Sequence, residues 1–237
     1  MEAYTKIIKN KEMIKMAENQ VWNAVDHYLI NSLQPNNDKM KKLLRNNRDN
    51  NLPEIDVSPT QGKMLWMLAK MMGAHRILEI GTLGGYSTTW LAMALPEDGK
   101  VITLENNKHH IKVAKENFQL SGVEKKITIM EDNALTSLSE LLKNNIGEFD
   151  FIFIDADKPN NPLYIDYAIK LARKGAVIVA DNIVRNGDIV AENIEDEKVL
   201  GIRRFIDILS KDSRVESVGI QTVGLKGYDG FILSFVK

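Results

Sequence analysis

FDFIFIDADK, residues Phe149 to Lys158, and AVIVADN, residues Ala176 to Asn182, share one form: a short apolar run that stops abruptly at carboxylates. Runs this short, rich in Ile, Val and Phe, read as strands buried on both faces of a parallel sheet. Open α/β sheets place their ligands at the C-terminal ends of such strands, so Asp155, Asp181 and Asn182 are expected at one edge. Two carboxylates and an amide carbonyl make an all-oxygen donor set, which suits a hard divalent cation such as Mg²⁺, Mn²⁺ or Ca²⁺ and not zinc. Either Asp alone also reads as the cap of the helix after its strand. Their joint occurrence, with Lys158 close behind, favours chemistry.

Outward from these two runs, short apolar strands alternate with amphipathic helices. Strands are expected at 76–80, 101–105, 127–131, 150–155 and 176–181, and helices at 87–94, 108–120, 135–144 and 162–172. Repeated βα units imply right-handed crossovers and an α/β, doubly wound, mostly parallel sheet. A polar connection, Ile183 to Glu197, is long enough to be a functional loop over the strand ends. A last helix over 199–209 leads to strands at 215–222 and 228–236, joined by Gly224-Leu225-Lys226-Gly227, a hairpin signal. Upstream, Ser58-Pro59-Thr60-Gln61 combines an N-cap Ser, a Pro at the first helical position and a Gln three residues after the cap. The helix it starts is expected to bury Met64, Leu65, Leu68, Ala69 and Met72 and to end at Gly73. Before it, Val21, Val25, Tyr28, Leu29 and Leu33 recur at helical spacing, and Met40 to Asn50 is a basic, Asn-rich helix or loop. These segments form a cover and not a separate domain.

The chain has 237 residues, 44% of them hydrophobic, enough for one good core. Its formal net charge is -1, so no overall positive field draws in nucleic acid or an acidic membrane. With 0 cysteines it has no disulfide, thiolate nucleophile or Cys-ligated zinc. No stretch approaches the roughly 18 apolar residues of a membrane-spanning helix. These features indicate a soluble, cytoplasmic protein.

The first strand of the alternating region opens into Gly81-Thr82-Leu83-Gly84-Gly85-Tyr86-Ser87, just ahead of a helix. Such a turn lets backbone approach a ligand closely and aims helix N–H groups at it. The dinucleotide pattern G-x-G-x-x-G fails here, because Leu83 stands at its third position. Glu79, two residues before Gly81, would repel a pyrophosphate but attract a cation, although it also reads as a plain strand-end carboxylate. Glu105, at the end of the next strand, sits where an acid accepts both hydroxyls of a ribose. Adenosine bearing a positive centre fits these residues better than NAD, and S-adenosylmethionine (SAM) is such a ligand.

With VSPTQGK (Val57–Lys63), LEIGTLGGYST (Leu78–Thr88), FDFIFIDADK, Asp181-Asn182 and KGYDGF (Lys226–Phe231) in place, the sequence resembles the cation-dependent O-methyltransferases of the caffeoyl-CoA and catechol type, bacterial branch included. The resemblance covers nearly the whole chain from about Val21. It implies a seven-stranded class I SAM-dependent methyltransferase fold, Rossmann-like, with the last strand antiparallel. It divides the chain into a helical cover, 1–57, and a methyltransferase region, 58–237, within one domain. It further implies metal ligation by Asp155, Asp181 and Asn182, cofactor contacts at Val57, Glu79, Gly81, Thr82, Ser87, Glu105, Ala134 and Asp157, and a homodimer.

The chemistry implied is in-line methyl transfer from a sulfonium to oxygen. A phenol titrates near pKa ~10 and is mostly protonated at neutral pH, so it needs activation. A divalent metal on two neighbouring acceptor oxygens lowers that pKa, and Lys158, beside Asp155, is the candidate base. Lys158 also reads as a surface lysine or a partner of Asp155 or Asp157. Asn160, Asn161 and Arg185 border the same edge; the four histidines show no shared ligand spacing, and the tryptophans fit helical packing. A small phenolic acceptor with vicinal hydroxyls is the leading expectation. Methylation of 5-hydroxyuridine in tRNA is the alternative, for which Lys39, Lys41, Lys42, Arg45 and Arg48 supply a basic stripe. A non-catalytic adenosine-binding module is disfavoured by the intact set Asp155, Lys158, Asp181 and Asn182.

Overall fold

A computed structural model describes the backbone of residues 2–34 and 37–237, and the side chains of residues 16, 18–34 and 37–237. Residues 1, 35 and 36 of the expected N-terminal cover therefore lie outside the described residues. Three helices come first: α1 (Glu2–Leu33), α2 (Asp38–Asp49) and α3 (Pro59–Met71). The alternating region follows as β1 (Arg76–Ile80), α4 (Tyr86–Ala94), β2 (Lys100–Leu104), α5 (Lys108–Ser121), β3 (Ile127–Met130), α6 (Ala134–Lys143), β4 (Phe149–Ile154), α7 (Asn161–Leu171) and β5 (Ala172–Asp181). The chain closes with α8 (Glu197–Lys211), β6 (Val215–Gly224) and β7 (Gly227–Val236).

The strands form one seven-stranded sheet in the order β3-β2-β1-β4-β5-β7-β6. β1 to β5 pair in parallel, and β7 runs antiparallel to both its neighbours, as the resemblance implies. The period of two divides the central strands between two cores. Leu78, Ile80, Ile152, Ile154, Ile178 and Ala180 face α6, α7 and α8. Ile77, Phe151, Phe153, Val177 and Val179 face α2 to α5. With both faces covered, these strands need apolar residues at consecutive positions, which is why β4 and β5 read as unbroken runs over Phe151–Ile154 and Ala176–Ala180, while β1 breaks its run only at buried Glu79.

Local signals account for the element boundaries. Ser58 Oγ accepts from the backbone N–H of Gln61 at 3.1 Å, the cap expected of its motif, and Pro59 opens α3. Asn107 caps α5 and Asp196 caps α8 in the same manner. One strand differs from expectation: β5 begins at Ala172, not Ala176, because a register shift between Phe149 and Phe151 lets Ala172 pair with Phe149 directly after α7 ends. The Asn-rich segment is helical, and it buries Met40, Leu43 and Asn47.

The apolar stripe of α1 departs from expectation more sharply. Val21, Val25, Tyr28, Leu29 and Leu33 are 61%, 51%, 70%, 38% and 75% exposed. α1 meets the body of the chain through β6 and α3, and Asp26 Oδ2 accepts from Leu225 N–H in the hairpin turn at 2.8 Å. That polar contact anchors the helix with its apolar stripe turned away from the core. Among the described residues no helix is long and apolar enough to cross a membrane.

Candidate active site

β1 and β4 are neighbours whose following helices, α4 and α7, pack on opposite faces of the sheet. This is the switch point at which open α/β sheets leave a crevice. Gly81 leaves β1 there with φ +102°, and a Cβ on it would run into the backbone carbonyl of Asp155 at the end of β4. The loop after β1 thus lies directly against the loop after β4, an approach that only glycine permits in this conformation.

Glu79 shares the sheet face of Ile77 and is wholly buried under the start of α4. Ser87 Oγ donates to its Oε1 at 2.6 Å, Thr103 Oγ1 donates to its Oε2 at 2.6 Å, and Thr88 donates to Oε2 as well. Thr82 is buried in the same cage, 2.6 Å from Thr103 Oγ1. Burial pushes the Glu79 carboxyl up to about 7, against the pull of these three hydroxyls. The structure therefore places Glu79 behind the loop, with Ser87, only partly buried, as the outermost member of its cage.

The next carboxylates follow the same alternation. Ile154 pairs with Ala180, so Asp155 and Asp181, one residue further along each strand, lie side by side. Lys158 follows in a short 3-10 turn, is 6% exposed, and donates from Nζ to Asp155 Oδ1 at 2.9 Å. Asp181 is 4% exposed. Burial and then the neighbouring Asp155 carboxylate raise its pKa above the ordinary carboxylate range, while Lys158 pulls the other way. Two adjacent carboxylates against one ammonium leave an excess of negative charge that a divalent cation would balance, so the residues present fit such an ion. Asn182 follows Asp181 directly and lines a cleft with it, and among the described residues no group of three or more His, Asp or Glu side chains gathers at this edge or elsewhere.

Asp181 and Asn182 open onto a cleft of about 490 Å³, which Val57 and Gln61 line from the α3 side and Thr222 to Gly227 from the β6–β7 hairpin. A second, smaller recess of about 90 Å³ lies beyond the Gly81 turn, bordered by Gly81, Glu105, Ala134, Asp157 and Tyr164. Glu105 is held there by backbone: Oε2 accepts from Leu83 N–H at 2.9 Å, and Oε1 accepts from the N–H groups of Asn106 and Asn107 at 3.0 Å. Asp157 accepts from Tyr164 Oη at 2.5 Å and from Asn160 Nδ2 at 2.6 Å. These carboxylates are fixed in orientation, and the Asp157 contact raises the Tyr164 hydroxyl's pKa further after burial.

Sequence reasoning passed over part of this wall. Asp56 lines the larger cleft, and burial raises its pKa above the ordinary carboxylate value. Asn47 Nδ2 donates to its Oδ1 at 3.0 Å. Asn117, buried in α5, donates to both Asn47 Oδ1 and the Gly84 carbonyl at 2.7 Å. The available signal was an Asn inside an otherwise apolar helical stripe, Met40-Leu43-Asn47, a position where a polar side chain needs buried partners.

The O-methyltransferase family matches residues 31–234. A catechol O-methyltransferase of Niastella koreensis is 42% identical over 219 residues, covering 92% of this chain and 99% of that relative. The structure of an O-methyltransferase from Bacillus cereus in complex with SAH aligns with a TM-score of 0.90 at 46% identity, over 92% of this chain and 99% of its own. The O-methyltransferase TomG from Streptomyces achromogenes, involved in tomaymycin synthesis and solved in complex with SAM, aligns with a TM-score of 0.89 at 41% identity, over 93% and 99% of the two chains. The family match runs through the glycine loop and both strand-end motifs, and the chain is an enzyme of the O-methyltransferase family.

Proposed function

We propose that this enzyme transfers the methyl group of SAM to one of two neighbouring hydroxyls on a small phenolic acceptor, with a divalent cation, Mg²⁺ foremost, held by Asp155, Asp181 and Asn182. The observation that carries this proposal is the pair Asp155 and Asp181 side by side at the strand ends, with Lys158 buried against the first and a cleft open beside the second. The relative from Niastella koreensis, a catechol O-methyltransferase, and the SAM and SAH bound to the two aligned structures support the same assignment. A bound divalent cation supplies Lewis acidity that makes an acceptor hydroxyl easier to deprotonate.

The chain's own groups do the remaining work. Gly81, Thr82, Ser87, Ala134 and Val57 form the cofactor's surroundings, and the fixed carboxylates of Glu105 and Asp157 orient its polar groups. Glu79 lies buried behind the loop, and because burial raises its carboxyl to about 7, it carries only part of a negative charge at neutral pH toward a sulfonium in front of it. The acceptor oxygen attacks the methyl carbon, the C–S bond breaks as the C–O bond forms, and the hydroxyl proton passes to Lys158 Nζ in its neutral amine form, the ammonium having first released a proton to solvent. We also assign the exposed apolar stripe of α1 to a homodimer contact, since large apolar side chains grouped on one helix mark a surface that another chain covers. The test is methylation of catechol by the purified enzyme with SAM. Chelation should abolish turnover and Mg²⁺ or Mn²⁺ should restore it, whereas full activity in excess chelator after verified metal removal overturns the metal assignment.

A further inference from the structure

α3 separates two clefts. Gln61 and Met64 line the cleft beside Asp181 on one side, and Lys63 and Trp66 line a second cleft of about 790 Å³ on the other. The second cleft lies between the ends of α1 and α5 and helices α2, α3 and α4, away from Asp155 and Asp181, and none of its described lining residues is acidic. Three lysines reach it in a chain whose net charge is only -1.

Two of the three are held in place by backbone. Lys39 Nζ donates to the Ser121 carbonyl at 2.8 Å and Lys126 Nζ to the Leu95 carbonyl at 2.9 Å, at the C-terminal ends of α5 and α4. Each ammonium has three donors, so two remain on each. Satisfying helix ends explains those two lysines. It does not explain Lys63, which sits in the N-terminal half of α3, where helix carbonyls are already paired. Lys63 Nζ lies 3.4 Å from the centroid of Trp66 and 5.7 Å from that of Trp90. No carboxylate among the described residues stands within 4.0 Å of any of the three lysines. The cleft thus joins aromatic walls to uncompensated positive charge, at a size within the usual range for small-molecule pockets.

We propose that this cleft binds a small planar aromatic anion, its ring along the aromatic wall of Trp66 and Trp90 and its charged group among Lys39, Lys63 and Lys126, at a site separate from the methyl-transfer centre. A carboxylate and a phosphate share the required chemistry. A neutral ring of the same shape gains the aromatic contact but not the charge-assisted hydrogen bonds.

Calorimetric titration tests this, with the protein first saturated with S-adenosylhomocysteine so that the cofactor site is filled. The probes are 2-naphthoate, 1-naphthyl phosphate and the neutral 2-naphthalenemethanol. At least one anion should bind one to one, about tenfold or more tighter than the neutral probe, since a tenfold ratio corresponds to the weaker end of a charged hydrogen bond. Lys63→Gln should remove most of that preference and leave the neutral probe unchanged, Lys63→Arg should retain it, and Trp66→Leu should weaken all three. Among the described residues Lys63 bonds no backbone group, so its substitution does not threaten the fold, and an unchanged melting temperature verifies this. Equal affinity for charged and neutral probes, unaltered anion binding in Lys63→Gln, or no binding of either anion at millimolar concentration each overturns the proposal.

Discussion

Asn117 donates its Nδ2 to Asn47 Oδ1 at 2.7 Å, with both residues buried, and so couples α5 to the N-terminal helix α2 across the glycine loop. The same Nδ2 reaches the Gly84 carbonyl, Asn46 Nδ2 donates to Asn117 Oδ1 at 2.9 Å, and Asn47 Nδ2 continues to Asp56. The N-terminal segment is thereby part of the active-site wall. A buried amide that loses one partner leaves the other desolvated and unpaired, at about 1–3 kcal/mol.

This network gives a coupled prediction for Asn47 and Gly84. A Cβ on Gly84 would overlap the Asn47 carboxamide, yet Gly84 has no left-handed φ that would itself forbid alanine. Gly84→Ala should therefore destabilise the fold by about 1–3 kcal/mol through overpacking. Asn47→Ala should cost a similar amount through the unpaired Asp56 oxygen and Asn117 amide. The double variant should lose clearly less than the sum, because the small side chain at 47 makes room for the new methyl group. Chemical denaturation of the four proteins measures the coupling, and strict additivity contradicts it.

Glu79 predicts a pH dependence of stability. Its carboxyl is raised by burial from an ordinary 4.5 to about 7 in the fold. Between those values the native state holds a proton that the unfolded chain has released, so stability falls as pH rises. The contribution is fully present below pH 4.5 and fully lost above about 7, a change of about 3 kcal/mol at most. Asp181 and Asp56 are raised as well, so the measurement is a difference. Relative to Glu79→Gln, the wild-type protein should lose stability between pH 5 and 8 in urea titrations. Parallel profiles for the two proteins would show that Glu79 is ionised in the fold throughout.

The sheet and the strand-end site were legible in the sequence because each follows from local pattern. Ile152 to Asp155 and Ile178 to Asp181 carry their own punctuation, and Ser58-Pro59 and Gly81 mark the turns beside them. What stayed hidden depends on distant partners. Nothing near Asn47 in sequence announces Asn117, which is 70 residues away. The apolar spacing of α1 likewise identifies a helix with one sticky face but not the surface that covers it. Asp26, a polar residue within that stretch, decides the matter by anchoring to Leu225.

The α1 stripe predicts concentration-dependent assembly. Val25 and Tyr28 are more than half exposed, so replacing both by Asp should leave the melting temperature of a dilute single chain nearly unchanged. In sedimentation at micromolar concentration, the wild-type protein should run as a dimer and the Val25→Asp, Tyr28→Asp variant as a monomer. A monomeric wild-type protein under these conditions, or a variant that still dimerises, removes α1 from the interface.

The acceptor is separable from nucleic acid through α2. Lys41, Lys42 and Arg45 are exposed there, on the side away from buried Met40 and Leu43, and none of them lines the cleft beside Asp181. Their conversion to Gln removes three charges that a small phenol never touches, so turnover on catechol should change little and should respond weakly to salt. A tRNA acceptor would behave differently, because each phosphate contact adds about 0.7–0.9 to the slope of log K against log salt. The expected outcome is unchanged catechol methylation in the triple variant. Failure of the enzyme to methylate any catechol tested, together with tRNA methylation whose salt slope falls by about 2–3 in the variant, would replace the phenol by a nucleic acid.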